Sequence, residues 1–173
     1  HFNQFASELA RRWVDTHQLA GRTVLEVGSG NGDFLKHLLD AGAQRVIGID
    51  PIAKNPNDGQ RLITIQDVFD ARYQTLDADA LVCRHTLEHI RDVTGFLSNV
   101  HGWARDTSRV VLFEVPDGER VFKERAFWDV YYEHCNYFTE TTLRFAFERS
   151  GFKVLRLERV YGGQYLLLEA VAS

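Results

Sequence analysis

Thr23-Val24-Leu25-Glu26-Val27-Gly28-Ser29-Gly30-Asn31-Gly32-Asp33 is the stretch that decides the fold. Val24, Leu25 and Val27 are strand formers, and the run predicts a buried β-strand. Gly28, Gly30 and Gly32 make a turn without Cβ atoms, so a ligand can lie against its backbone. Phe34, Leu35, Leu38 and Leu39 then recur at helical spacing. A helix that opens just past a glycine turn presents free N–H groups.

The sign of the surrounding charge narrows the ligand. A dinucleotide fingerprint, Gly-x-Gly-x-x-Gly, needs a small third position for helix–strand packing. Asp33 stands there, and Gly32 comes one residue early. Glu26 and Asp33 flank the turn and would repel a pyrophosphate. A cationic nucleoside such as S-adenosyl-L-methionine (SAM), with its sulfonium and ammonium, suits them better. A P-loop is excluded, because no Gly-Lys-Ser/Thr follows the glycines.

The chain of 173 residues predicts a single domain with a substantial core. Its 45% hydrophobic and 25% charged residues are ordinary for a globular protein. No apolar run approaches the roughly 20 residues that span a bilayer, and no secretory signal is visible at the start. The net charge of −4 argues against a nucleic-acid partner. Cys83 and Cys135 have neither metal-type nor disulfide-type spacing, which sets a reducing, cytoplasmic expectation. Cys83 reads as core.

Phe2 to His17 forms an amphipathic helix pattern, within an N-terminal helical region 1–20. It is expected to pack over a sheet edge or to lid the cofactor in part. A helix from Gly32 to Ala41 is closed by Gly42. Val46-Ile47-Gly48-Ile49-Asp50 is a second strand, and Asp50 stands where an acid can grip ribose hydroxyls. Pro51 stops that strand, and Ile52 can lie on an adenine face. Residues 55–59 read as a polar loop. Leu62 to Gln66 is a third strand. Asp67 beyond it can accept from an adenine amine, with the Val68 N–H serving a ring nitrogen. Asp67 equally fits a cap on the following turn.

Ala80 to Arg84 is the fourth strand, and a helix covers Val93 to Ala104. Arg109 to Val115 is the fifth strand, ended by Pro116. A helix from Glu140 to Ser150 has Thr139 as N-cap. Lys153 to Leu157 and Gln164 to Glu169 close the chain as a hairpin around Gly162-Gly163. This order predicts an α/β protein: a doubly wound, seven-stranded sheet, mostly parallel, with one antiparallel strand in the C-terminal hairpin. Ligands in such sheets bind at the carboxyl ends of the strands. Glu26, Gly28, Asp50, Asp67, Arg84, His85 and Glu114 all fall at or near those ends.

Along nearly its whole length the chain resembles class I SAM-dependent methyltransferases, which have a Rossmann-like fold. Val24 to Gly32 is similar to their glycine motif and Gly48-Ile49-Asp50-Pro51 to their ribose-binding turn. Gln66-Asp67-Val68 is similar to their adenine edge, and Leu87-Glu88-His89-Ile90 to the segment after strand four. A narrower resemblance lies at Tyr131-Tyr132-Glu133-His134-Cys135-Asn136-Tyr137-Phe138-Thr139, which is similar to a segment of sugar C-methyltransferases. Members of that group carry a cysteine-rich zinc module before this core and a further domain after it, and neither lies within the 173 residues.

The resemblance implies SAM as cofactor and S-adenosyl-L-homocysteine as product. The expected cofactor-binding residues are Glu26, Gly28, Ser29, Gly30, Asp50, Pro51, Asp67, Val68, Arg84 and His85. It implies His134 as a general base that deprotonates a carbon next to a ketone, with Glu133 assisting. The insertion 116–138 faces the substrate, and its aromatics Trp128, Tyr131 and Tyr132 are the expected substrate wall. They also fit a role in packing the insertion. No metal ligand is expected. The acceptor is expected to be a small molecule, with no nucleic acid and no membrane, for a monomer or homodimer.

Three alternatives stay open: O- or N-methylation, a SAM-binding module without catalysis, and a zinc peptidase. The last rests on His85-Thr86-Leu87-Glu88-His89, which spells H-x-x-E-H. On a helix, His85 and His89 would share a face and ligate zinc. The α/β order speaks against it, because His85 falls in the turn after a buried strand.

Overall fold

A computed structural model describes residues 1–54, 60–105, 109–125 and 130–173. Seven strands are hydrogen-bonded in the order β3-β2-β1-β4-β5-β7-β6. The residues gather into two compact units, His1–Val82 and Cys83–Ser173. Strand β4 (Ala80–Arg84), buried at all five positions, carries the boundary.

In the first unit, β1 (Thr23–Val27) pairs in parallel with β2 (Arg45–Ile49), which pairs in parallel with β3 (Leu62–Ile65). Both neighbours of β2 cover it, and its apolar Val46, Ile47 and Ile49 are buried, as a parallel strand requires. Helix α1 (Phe2–Thr16) buries Ala6, Leu9, Ala10, Trp13 and Val14, one stripe at helical spacing. It lies against α2 (Asp33–Asp40). Trp13 meets Phe34 edge-on at 5.9 Å, and the His37 ring bonds the Asn3 side chain at 2.8 Å. Phe2, counted in the apolar stripe, is 45% exposed. The polar loop expected at 55–59 lies outside the described residues.

In the second unit, α3 (Val93–Ala104) starts at Asp92, whose carboxylate accepts the Gly95 amide at 2.9 Å. Strand β5 (Val110–Pro116) pairs antiparallel with β7 (Tyr165–Ala172), and β7 pairs antiparallel with β6 (Phe152–Val160). Only β7 therefore runs against the rest, as the hairpin pattern predicts. The strands of that hairpin are longer than the sequence pattern suggests. Leu155 is half exposed and Lys153 and Arg156 face solvent, so alternation alone does not mark where β6 ends. Phe113 and Phe147 meet edge-on at 4.8 Å, and Phe147 lies 5.4 Å from Phe152. This aromatic cluster joins α5 (Glu140–Arg149) to the sheet. Thr139 caps α5 through a reciprocal box with Thr142. Cys83 is fully buried and Cys135 exposed.

The insertion carries a short helix that sequence periodicity does not reveal, α4 (Gly118–Lys123), capped by Asp117. The insertion closes on itself, because Asp117 bridges Phe138 and the Gly118 amide donates to the Phe138 carbonyl at 2.7 Å. Arg159 of β6 fastens the start of α4. Its guanidinium contacts Asp117 at 2.6 Å and also meets Glu119 and Glu140.

Gly48 of β2 lets the glycine turn sit close. A Cβ there would lie 2.5 Å from Ser29 Oγ and 2.8 Å from both Ser29 Cβ and Leu35 Cδ1. Gly48→Ala should therefore destabilise the protein by about 1–3 kcal/mol through overpacking, read as a lower midpoint in urea unfolding. An unchanged midpoint would show that the turn has room to retreat.

Candidate active site

The first unit builds a cradle from the ends of β1 and β2. The Gly28 amide donates to the Ile49 carbonyl at 2.8 Å, which pins the start of the turn to β2. Gly30 has φ +52°, a conformation that favours glycine, and no heavy atom lies within 4 Å of where its Cβ would be. The Asp50 carboxylate spans the opening. One oxygen accepts the Gly30 amide at 2.8 Å and the other the Ile52 amide at 2.8 Å. Asp50 is thus already engaged with backbone, and its remaining lone pairs are what a ribose would meet.

Glu26 and Ser29 are both buried beside the turn, and among the described residues Ser29 Oγ has no hydrogen-bond partner. Asp33 is different: it is exposed and pairs with Lys36 at 3.1 Å. The acidic field at the turn therefore comes from Glu26 and Asp50. Beyond β3, the Asp67 carboxylate accepts from the Tyr73 hydroxyl at 2.6 Å and the Val68 amide at 2.7 Å, and it pairs with Arg72 at 2.9 Å. These contacts, the Tyr73 hydroxyl first, hold Asp67 below the usual carboxylate range. The Val68 N–H expected for an adenine ring is occupied by Asp67 itself. Pro51 and Ile52 are exposed beside it, Ile52 at 73%.

The second unit gathers acids and histidines around the exits of β4 and β5. Glu114, fully buried, takes Arg84 at 2.8 Å through Nε and at 3.3 Å through the second nitrogen, a two-point pair. His85 Nε2 lies 2.6 Å from the same carboxylate, and the His85 ring meets Tyr165 edge-on at 4.7 Å. Burial pushes the Glu114 carboxyl up, but His85 and Arg84 outweigh it, so it stays below its ordinary value. Arg84, expected at the cofactor, is paired with this acid. His85 sits at φ +47°, a strained turn for a side chain with a Cβ.

After His85 the chain makes a 3-10 turn at Leu87–His89 rather than an α-helix. His85 and His89 therefore share no helical face, and the peptidase geometry is not built. Glu88 is buried, and burial pushes its carboxyl up. Its backbone carbonyl accepts the amides of Cys135 at 2.8 Å and Asn136 at 3.1 Å. Asn136 Nδ2 donates to the Ile90 carbonyl at 2.7 Å, and His89 Nδ1 donates to the Glu133 carbonyl at 3.1 Å. This lacing brings His134 to the segment after β4. The His134 ring lies 4.8 Å from the His89 ring and 4.9 Å from Tyr131.

The acid that shares a cluster with His134 and His89 is Glu88, not Glu133, which is exposed. Tyr131 is half exposed and Tyr132 wholly so, while Trp128 lies outside the described residues. The sequence pattern offers Glu88 and His89 only within the H-x-x-E-H alternative and the segment after strand four, not beside His134. The signal was the H-x-x-E-H spelling, whose second half forms part of a cluster with a residue 45 positions away.

A family model described as a methyltransferase domain matches residues 2–157. The chain belongs to that methyltransferase family. It is 29% identical over 167 residues to C-methyltransferase NovU of Streptomyces niveus, covering 88% of this chain and 38% of that protein. It is 34% identical over 103 residues to a mitochondrial ubiquinone biosynthesis O-methyltransferase of Bos taurus, covering 50% of this chain and 28% of that one. The methyltransferase thus spans well under half the length of either relative. In fold it is similar to magnesium protoporphyrin IX methyltransferase of Synechocystis PCC 6803 with bound SAH. There the TM-score is 0.69 at 20% identity, covering 99% of this chain and 84% of that one. The architecture is that of class I SAM-dependent methyltransferases. Among the described residues, no helix is long and apolar enough to cross a membrane.

Glu114→Gln should leave Arg84 buried without its counter-charge and cost about 3–5 kcal/mol at neutral pH. Because Glu114 is held below its ordinary value of 4.5, its contribution is fully present above that pH and fades as pH falls. The gap in unfolding free energy between wild type and variant should therefore shrink below pH 4.5, as urea unfolding across pH would report. A gap constant down to pH 3 would rule out this linkage.

Proposed function

We propose that this methyltransferase methylates carbon in a small-molecule acceptor, using SAM and releasing S-adenosyl-L-homocysteine, with His134 as general base. The observation that carries the reading is the pair of bonds from the Cys135 and Asn136 amides to the Glu88 carbonyl. They hold the segment that bears His134 against the exit of β4. The 29% identity to NovU, a C-methyltransferase, over most of this chain supports the same reaction class.

The cradle suits the donor chemically. The buried Glu26 favours a cationic nucleoside over a phosphate-bearing one. The open space at Gly30 admits a ligand against the backbone, and Ser29 Oγ is ready to accept or donate. Asp50 offers lone pairs to ribose hydroxyls, with Pro51 and Ile52 beneath the base. When bound, SAM supplies a methyl group on a good leaving group. The chain has to hold the acceptor and remove a proton. His134 would take that proton from the acceptor carbon, leaving there the electron pair with which the acceptor receives the methyl group that SAM would supply. The imidazole is suited to this because its ordinary pKa lies near ambient pH. Tyr131, packed beside the ring, restrains its orientation.

O-methylation is the second reading, favoured by the 34% identity to the bovine O-methyltransferase over half the chain. His134→Ala separates the two. C-methylation should fall by about 10²–10⁴-fold, with SAM affinity unchanged, whereas an acceptor with its own nucleophilic oxygen should lose little. Turnover that survives with a carbon acceptor would remove His134 from the role of base. In calorimetry, Asp50→Ala should weaken SAM binding by roughly 10–100-fold, the scale of a lost charged hydrogen bond. Equal affinity in a variant that melts like wild type would move the ribose elsewhere.

A further inference from the structure

We infer that Glu88, His89 and His134 form a site for a divalent first-row transition-metal cation. One ligand atom from each residue lies within 4.8 Å of the others. Two imidazoles and a carboxylate are a donor set that suits zinc, cobalt or nickel, and with three protein ligands such sites keep a position open.

Two independent features point to a cation rather than to an accidental grouping. The first is Glu88 itself. It is 2% exposed, and among the described residues its buried Oε2 has no hydrogen-bond partner. A buried carboxylate oxygen left unsatisfied is costly, and a metal ion satisfies it. The second is the hydrogen bond from His89 to the Glu133 carbonyl at 3.1 Å. A carbonyl can only accept, so the proton sits on Nδ1 and the lone pair on Nε2. Metal-ligating histidines are oriented this way, with the other ring nitrogen donating to a carbonyl or carboxylate.

The frame around the three residues is stiff. The Glu88 carbonyl is held by the Cys135 and Asn136 amides, and Asn136 is held in turn by the Ile90 carbonyl. Ligand atoms on a tetrahedral ion stand about 3.4 Å apart, given bonds of about 2.1 Å. Binding would have to draw the ligand atoms in from within 4.8 Å of one another, chiefly by movement of the half-buried His134 side chain. A position left open on the ion would take an oxygen ligand, water or an oxygen of the acceptor, whose proton the ion would make more acidic. A cation there occupies the His134 lone pair, so the loaded protein does not use His134 as a base. The site stands whether or not the C-methylation reading holds.

The test uses the whole chain, stripped with chelator and dialysed, then titrated with Co²⁺ in the spectrophotometer and with Zn²⁺ in the calorimeter. One equivalent should bind saturably, with a cobalt d–d band in the visible. His89→Ala, on an exposed side chain, and the near-isosteric Glu88→Gln should each weaken binding by at least about 10–100-fold, the loss seen even for outer-sphere partners. His17→Ala, on the C-terminal end of α1, should change nothing. Absence of saturable binding, or binding indifferent to both His89→Ala and Glu88→Gln, would overturn the site. Turnover of chelator-stripped protein reports separately on His134 as base, so either idea can fail alone.

Discussion

The carboxylate of Asp50 is the constraint on which the donor cradle depends. Its two oxygens accept the amides of Gly30 and Ile52, binding the turn after β1 to the turn after β2. Gly48 lets Ser29 and Leu35 approach close enough for that contact, and Gly30 takes a backbone conformation that a side chain would strain. Remove the carboxylate and two turn amides lose their acceptor. The cradle is thus held in shape by the protein's own carboxylate.

The second unit solves a different problem, the burial of two carboxylates, Glu88 and Glu114. Glu114 is buried in β5 and held as a carboxylate by Arg84 and His85. Glu88 is buried without comparable compensation, and its desolvation raises its pKa. The two acids are both buried, but Glu114 is held at close range by Arg84 at the end of β4 and by His85 beyond it, whereas Glu88 stands 3.8 Å from His85 and in a cluster with His89 and His134.

These two units explain why the family is plain and the reaction is not. The glycine turn, the acids after β1 and β2, and the strand order belong to the methyltransferase family as a whole. The insertion closes on itself through Asp117 and Phe138, and it is tied to the rest of its unit by Arg159 with Asp117, by Glu88 with Cys135 and Asn136, by Asn136 with Ile90 and by His89 with Glu133. The chain's relatives by sequence include one named for C-methylation and one for O-methylation.

The sequence by itself determined the run of alternating strands and helices, the antiparallel hairpin and the Thr139 cap, because these follow from local spacing and residue type. The order of the strands across the sheet is a matter of tertiary pairing. Strand β4 and helix α3 fall where alternation and periodicity put them, and Thr139 caps α5 as its residue type predicts. Tertiary structure alone decided which acid stands with His134. Glu133 is its neighbour in the chain, yet adjacent side chains in a loop diverge, and Glu133 faces solvent while Glu88 is brought in by backbone bonds across the unit. Likewise Arg84 ends a strand, as spacing shows, but only its packing against Glu114 turns it into a counter-charge. Local pattern sets where a residue lies along the chain; which distant group satisfies its charge or hydrogen bond depends on the folded contacts.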